Sequence, residues 1–362
     1  MKKHLVFLIL IAVSVALADK VELKPYGFIK GDYYQSMGGL ESWGSPAITC
    51  TQKATGLDTN ASSFTAQHSR FGLAGSKEFG ELEVGAKLEL DFFWVVADAN
   101  HNPRMRQGFA WLKTGAFEVR FGQQWDVVAP LNPSTNNTNA NLWKNGNYGF
   151  RRGQIKAIYT LDLLIMKPVF EVAIAEGAKD SKKDMDIGQD NVSGVPQFQG
   201  RFGLDFLGST QLGISGIYSV FGGEGDYSTS GFFIDANFLF HKLFALKGEF
   251  AMGKNFSDAD LFTIAGKRGI NGDDIESMGY WLNVTSKPYT HLNVVLGLAQ
   301  EMITSDVADG APESNMTMYG TLIFPIVGGF SIAGEYQFYM TEVKGVDTYT
   351  GGIIDIAGKL TF

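Results

Sequence analysis

The sequence predicts an all-β fold, a closed antiparallel transmembrane β-barrel of about 16 strands. Three observations lead there. Side-chain polarity alternates with period two over long stretches. The connections alternate between short turns and long polar loops. No segment beyond the N-terminal leader reads as a membrane-spanning helix.

The leader comes first. Lys2 and Lys3 precede the apolar run Leu5–Val13 and the small-residue end Ala16-Leu17-Ala18, which is the layout of a cleaved secretory signal over residues 1–18. Its apolar stretch is too short to span a bilayer. Residue 19 is Asp19 and not cysteine, which does not support a lipoprotein anchor. The protein is therefore expected outside the bacterial cytoplasm, with 19–362 as the barrel. Farther on, the uncharged stretch Ser314–Gly334 is broken by Pro325, Gly328 and Gly329, a poor helix but two good strands and a turn.

Period two is clearest in Glu81–Phe92. There Glu81, Glu83, Gly85, Lys87, Glu89 and Asp91 alternate with Leu82, Val84, Ala86, Leu88, Leu90 and Phe92. Successive side chains of a strand point to opposite faces, so one face is charged and the other apolar. Gln197–Phe206 and Phe117–Trp125 repeat the split. Such segments fall at 22–36, 64–76, 80–94, 103–114, 117–130, 150–161, 163–176 and 196–207 in the first half. The second half adds 211–221, 230–240, 243–256, 276–286, 291–304, 315–324, 330–343 and 349–362. Short turns such as 75–79, 114–116, 206–211, 241–242 and 325–329 follow the even-numbered segments. Long stretches such as 37–63, 131–149, 177–195 and 257–275 follow the odd ones. Outer-membrane barrels are built this way, with short periplasmic turns and long extracellular loops.

Aromatic residues gather at the short-turn end, as Phe79, Phe117, Phe206, Phe240, Phe244, Tyr289, Phe324, Phe330 and the terminal Phe362. That is the place for an interfacial girdle. The ending on Phe362 also resembles the signal read by outer-membrane assembly machinery. Composition fits: 44 glycines, 45% hydrophobic residues and only 19% charged ones suit a thin apolar outer face with polar groups inside. The net charge of −8 argues against a nucleic-acid partner. One cysteine, Cys50 in the first loop, excludes an internal disulfide and a cysteine zinc site.

Charge inside the barrel is uneven. Arg70, Arg104, Arg106, Arg120 and Arg152 alternate inward on neighbouring strands, joined by Lys87 and Lys156. Arginine presents a fork that suits carboxylate or phosphate, so one reading is an arginine-lined path for anions. The other is structural pairing, because Glu81, Glu83, Glu89, Asp91, Glu118 and Asp126 face the same way and Arg104 falls opposite Asp126. Arg151 alternates outward, toward headgroups or a neighbouring subunit. Leu131–Gly149, with the Asn-rich run Asn132–Asn141, is the third long loop and is expected to fold inward as a constriction. The acidic stretch Asp184–Asp190 lacks a distal bidentate glutamate and reads as a solvated loop before a calcium site. His68, His101, His241 and His291 show no ligand spacing. No G-x-S-x-G motif is present. Neither a cofactor nor enzyme activity is expected.

Pro103–Asn137, PRMRQGFAWLKTGAFEVRFGQQWDVVAPLNPSTNN, resembles the DcaP-like porins, relatives of the phosphate-selective porins. Tyr26–Asp32 in the first strand and Gln67–Leu73 in the second carry the same resemblance. The matching motifs cover about a fifth of the chain, mostly in its first half. The resemblance implies a sixteen-stranded, trimeric diffusion channel of the outer membrane, set among lipid and lipopolysaccharide, with a preference for small anions such as dicarboxylates or phosphate. Only Asp19–Val21 precede the first strand, so an N-terminal coiled coil is not expected and trimerisation falls to the barrel walls. A structural or adhesive outer-membrane protein with incidental permeability is the alternative.

Overall fold

The computed structural model describes residues 21–40, 49–50, 60–93, 102–138, 142–177, 196–206, 210–221, 227–241, 244–266, 273–286 and 291–362. The leader (1–18), the acidic stretch 184–190, His101, Tyr289 and the end of the Asn-rich run (139–141) lie outside them. The strands are β1 (Glu22–Met37), β2 (Ala61–Thr65), β3 (Arg70–Phe79), β4 (Leu82–Asp91), β5 (Arg104–Thr114), β6 (Phe117–Trp125), β7 (Arg151–Thr160) and β8 (Lys167–Ala175). They continue as β9 (Gln197–Phe206), β10 (Thr210–Phe221), β11 (Tyr227–His241), β12 (Phe244–Lys254), β13 (Glu276–Ser286), β14 (Asn293–Ile303), β15 (Pro312–Val327), β16 (Phe330–Val343) and β17 (Tyr349–Thr361).

From β3 onward each strand pairs antiparallel with the next, and β17 returns to β1 to close the sheet. Closure leaves no edge, so every wall strand finds its backbone partners within the protein. The last residue completes the seam. Gly27 and Phe362 exchange both backbone hydrogen bonds, each 3.0 Å.

The strands number 17 because the second spanning segment is split. β2 and β3 both pair with β1, from Asp32↔Thr65 and from Phe28↔Arg70, so four residues (66–69) face three on β1. The extra residue is a bulge. Ser69 Oγ bridges it, accepting from Lys30 N at 3.0 Å. The barrel thus has 16 spanning segments.

Several turns are tighter than the alternation suggests. β3 runs to Phe79 and turns at Gly80-Glu81, which takes Glu81 off the inward face, and β15 runs to Val327 and turns at Gly328-Gly329. The φ values of +54° and +82° at the latter pair are those of a type I′ hairpin, which glycine adopts without steric cost.

Outward positions carry exposed apolar side chains such as Leu88, Phe121, Val172, Leu296 and Ile332. At the short-turn end Phe79, Phe117, Phe244, Phe324, Phe330 and Phe362 are exposed. Buried apolar groups lie instead inside the barrel. Val128, Ala129 and Tyr148 pack with Phe233, Phe256 and Leu261, and Leu142 packs with Trp281, Val295 and Tyr319. Both clusters join wall strands to residues from loops.

Candidate functional site

Strands β3 to β7 place all seven of the singled-out cations on the inner wall. Arg106 Nε and Nη1 reach Glu89 Oε1 and Asp91 Oδ2, each at 2.8 Å. Arg104 Nε and Nη2 donate to the two oxygens of Asp91 at 2.9 and 2.8 Å. The alternation sets Arg104 against Asp126; the structure corrects this. A register shift between Glu89 and Leu90 sets Arg104 directly opposite Asp91 on β4, and a one-residue bulge cannot be counted from the turn.

Asp126 instead takes Arg152, which donates Nε and Nη2 at 2.8 and 2.9 Å. Arg120 Nε donates to Glu118 Oε1 at 2.5 Å. Lys156 Nζ donates to the Trp125 carbonyl at 2.8 Å. Lys87 sits over the Tyr26 ring at 5.2 Å and Arg70 over the Phe28 ring at 5.3 Å. Arg151 also departs from its outward, headgroup-facing assignment. It is buried, with its guanidinium 5.0 Å from the Trp125 ring centre.

Opposite this wall, the chain after β6 crosses the barrel. Leu131 N donates to Glu249 Oε1 on β12 at 2.7 Å, Ser134 N to Asn283 Oδ1 on β13 at 3.0 Å, and Asn136 N to Glu335 Oε2 on β16 at 2.6 Å. Thr138 O accepts from Arg70 Nη2 at 3.4 Å, back on β3. On the returning limb, Thr317 Oγ1 on β15 donates to Asn145 Oδ1 at 2.7 Å. Gly146 rests against the β13 backbone, where an added Cβ would lie 2.4 Å from the Tyr280 carbonyl oxygen.

A second segment, missed in the sequence, packs behind the first. Residues 255–266 begin with a 3-10 turn (Phe256–Ala259) whose Phe256 and Ala259 are fully buried. Phe262 stacks on Trp143 with ring centres 3.8 Å apart, Arg152 Nη1 donates to Ala259 O at 2.9 Å, and Ile264 N donates to Glu301 Oε2 at 3.2 Å. Only its aromatic content, Phe256 at the end of the expected strand 243–256 and Phe262 in the long connection 257–275, could have signalled this. The inward acids Glu249, Glu301 and Glu335, and the inward cations Arg201, Lys247 and Lys359, were missed as well. They obey the same alternation, but their strands hold no arginine row.

Outside the spanning strands, burial pushes the Cys50 thiol up to about 12. Burial first, and the nearby Glu301 carboxylate second, hold the Tyr148 phenol well above its usual range. The exposed pair Asp306 and Lys344 bond each other, which lowers the carboxyl and raises the ammonium. Among the described residues no group of three or more His, Cys, Asp or Glu could hold a metal ion.

No protein-family model matches the chain, and no curated protein matches it by sequence. Solved structures do. The outer membrane channel DcaP of Acinetobacter baumannii is similar with a TM-score of 0.78 at 16% identity, over 94% of this chain and 97% of that one. An anion-selective porin from Comamonas acidovorans gives 0.63 at 15%, over 95% and 100%. The trimer form of OmpT, an outer membrane protein of Vibrio cholerae, gives 0.60 at 14%, also over 95% and 100%. These likenesses agree with the edge-free sheet, the apolar outer belt and the resemblance read from the first half of the sequence. The chain is a closed antiparallel β-barrel of 16 spanning segments with the fold of the outer membrane channel DcaP.

Proposed function

We propose that the protein is an outer-membrane porin, a water-filled channel for passive diffusion of small hydrophilic solutes with a preference for small anions. The observation that carries this is the cationic wall of β3–β7 lying beside a loop held across the barrel. A solute passing through would move between Arg70, Lys87, Arg104, Arg106, Arg120, Lys156 and Arg152 on one side and the 131–149 loop on the other. That loop is the constriction. Its Asn-rich first limb offers uncharged donors and acceptors, while the wall supplies the field that favours anions. Small dicarboxylates and phosphate suit guanidinium forks. Export removes residues 1–18, the barrel settles among lipid and lipopolysaccharide, and three copies assemble through their walls. No step requires a cofactor, and no catalysis is involved.

The test is the zero-current potential of refolded protein in a planar bilayer under a potassium chloride gradient. A potential of the sign set by chloride supports the reading. A potential of zero or of potassium sign removes the anion preference and leaves a general porin. Absence of current removes the channel and favours a structural or adhesive protein.

A further inference from the structure

Six cations on the inner wall have spent their charge. Arg104, Arg106, Arg120, Arg152 and Arg201 each hold a carboxylate oxygen, at distances from 2.5 to 3.1 Å. Lys30 is buried and paired with Asp32. A passing ion meets these groups as pairs whose fields largely cancel.

Arg70, Lys87 and Lys359 differ. The nearest carboxylate oxygen to Arg70, on Glu89, stands 3.8 Å from Nε, beyond hydrogen-bond distance, and that Nε has no hydrogen-bond partner. Among the described residues neither Lys87 nor Lys359 has a carboxylate within ion-pair distance. All three are half-buried; the Arg70 Nε is itself buried and its Nη2 donates to the Thr138 carbonyl of the inward loop at 3.4 Å. Each lies over an aromatic ring, Lys87 over Tyr26 and the other two over Phe28, with Arg70 at 5.3 Å and Lys359 at 5.7 Å from the same ring centre. A ring face attracts a cation without neutralising it. Two like charges thus share one ring with no carboxylate bonded to either, an arrangement that an anion relieves. Lys359 is 289 residues from Arg70 in the chain, and the β1–β17 seam brings them together by setting Lys359 opposite Lys30.

We propose that Lys359, sharing the Phe28 ring with Arg70, is a selectivity-determining residue of the pore. The carboxylate-bonded arginines then shape the wall, and Lys359, with no carboxylate within ion-pair distance among the described residues, chooses the ion. This rests on the anion-channel reading above.

Lys359→Ala, Lys359→Arg and Lys359→Glu are compared with wild type in the same bilayer at low salt, where screening is weak. Lys167→Ala, at the exposed start of β8 where Lys167 pairs with Asp162 at 3.3 Å, controls for loss of one charge at the short-turn end. The expected result is that Lys359→Ala lowers the chloride-to-potassium permeability ratio by about threefold to fivefold, the size of one charge acting at several ångströms through water. Lys359→Arg keeps the ratio, Lys359→Glu lowers it further, and Lys167→Ala leaves it unchanged. Current through each variant certifies that its barrel has folded. A conducting Lys359→Ala channel with the wild-type ratio, or one shifted no more than Lys167→Ala, overturns the inference while the anion reading stands. A wild-type channel without anion preference overturns both.

Discussion

Arg104 grips Asp91 with both arms of its fork, at 2.9 and 2.8 Å, across the β4–β5 pairing. Asp91 is fully buried and also accepts from Arg106. Removing one partner of a buried charged group costs more than the bond itself, because the other is left short of compensation. Arg104→Ala is expected to destabilise the barrel by about 1.5–3 kcal/mol. A lower temperature for loss of the compact band in cold detergent gels would register it, and an unchanged temperature would count against a structural role.

The inward loop offers a second test. Gly146 holds φ +86° and leaves no room for a Cβ beside Tyr280. A β-branched residue is strained at that φ and collides with backbone. Gly146→Val should dislodge the loop from β13 and raise single-channel conductance. Conductance equal to wild type would remove this loop from the constriction.

The wall carboxylates make a related prediction. Glu249 and Glu335 accept the backbone N–H groups of Leu131 and Asn136. The double variant Glu249→Ala with Glu335→Ala should leave the first limb untethered and make the open-channel current noisier. Quiet current at wild-type amplitude would show that the loop holds by its apolar contacts alone.

The seam supplies another. Deleting Phe362 removes the two backbone bonds to Gly27 and one exposed ring at the short-turn end. Unpaired backbone groups at a membrane boundary are costly. The yield of folded barrel in lipid vesicles should fall severalfold, and undiminished yield would show that pairing up to Thr361 suffices for closure.

Cys50 gives a chemical probe. Its thiol is buried beside Tyr339 and pushed up to about 12, against about 8.5 for a free cysteine. A raised thiol stays protonated as pH rises through 8 and becomes a nucleophile only near its folded value. At pH 8 maleimide labelling of the folded protein should therefore be at least tenfold slower than of the unfolded chain. Equal rates would mean that the 49–50 segment leaves the wall.

Period two determined the 16 spanning segments and most of their inward and outward faces, and the alternating connection lengths gave the two kinds of ends. A strand's alternation is a local property, and hydrocarbon outside a thin wall writes it directly into residues such as Leu82 to Phe92. Phe362 and the aromatic girdle were legible for the same reason. The pairing of charges was not. Whether Arg104 meets Asp91 or Asp126 depends on a one-residue bulge in β5, and a single added residue changes every partner beyond it. The inward packing of residues 255–266, the burial of Arg151, and the meeting of Arg70 with Lys359 across the seam are likewise tertiary facts. They depend on contacts between segments far apart in the chain, made only once the sheet has closed. The sequence by itself settled the two faces of most strands, though not of Arg151 or Glu81; the closed barrel decided which inward charges neutralise one another and which keep a charge to offer.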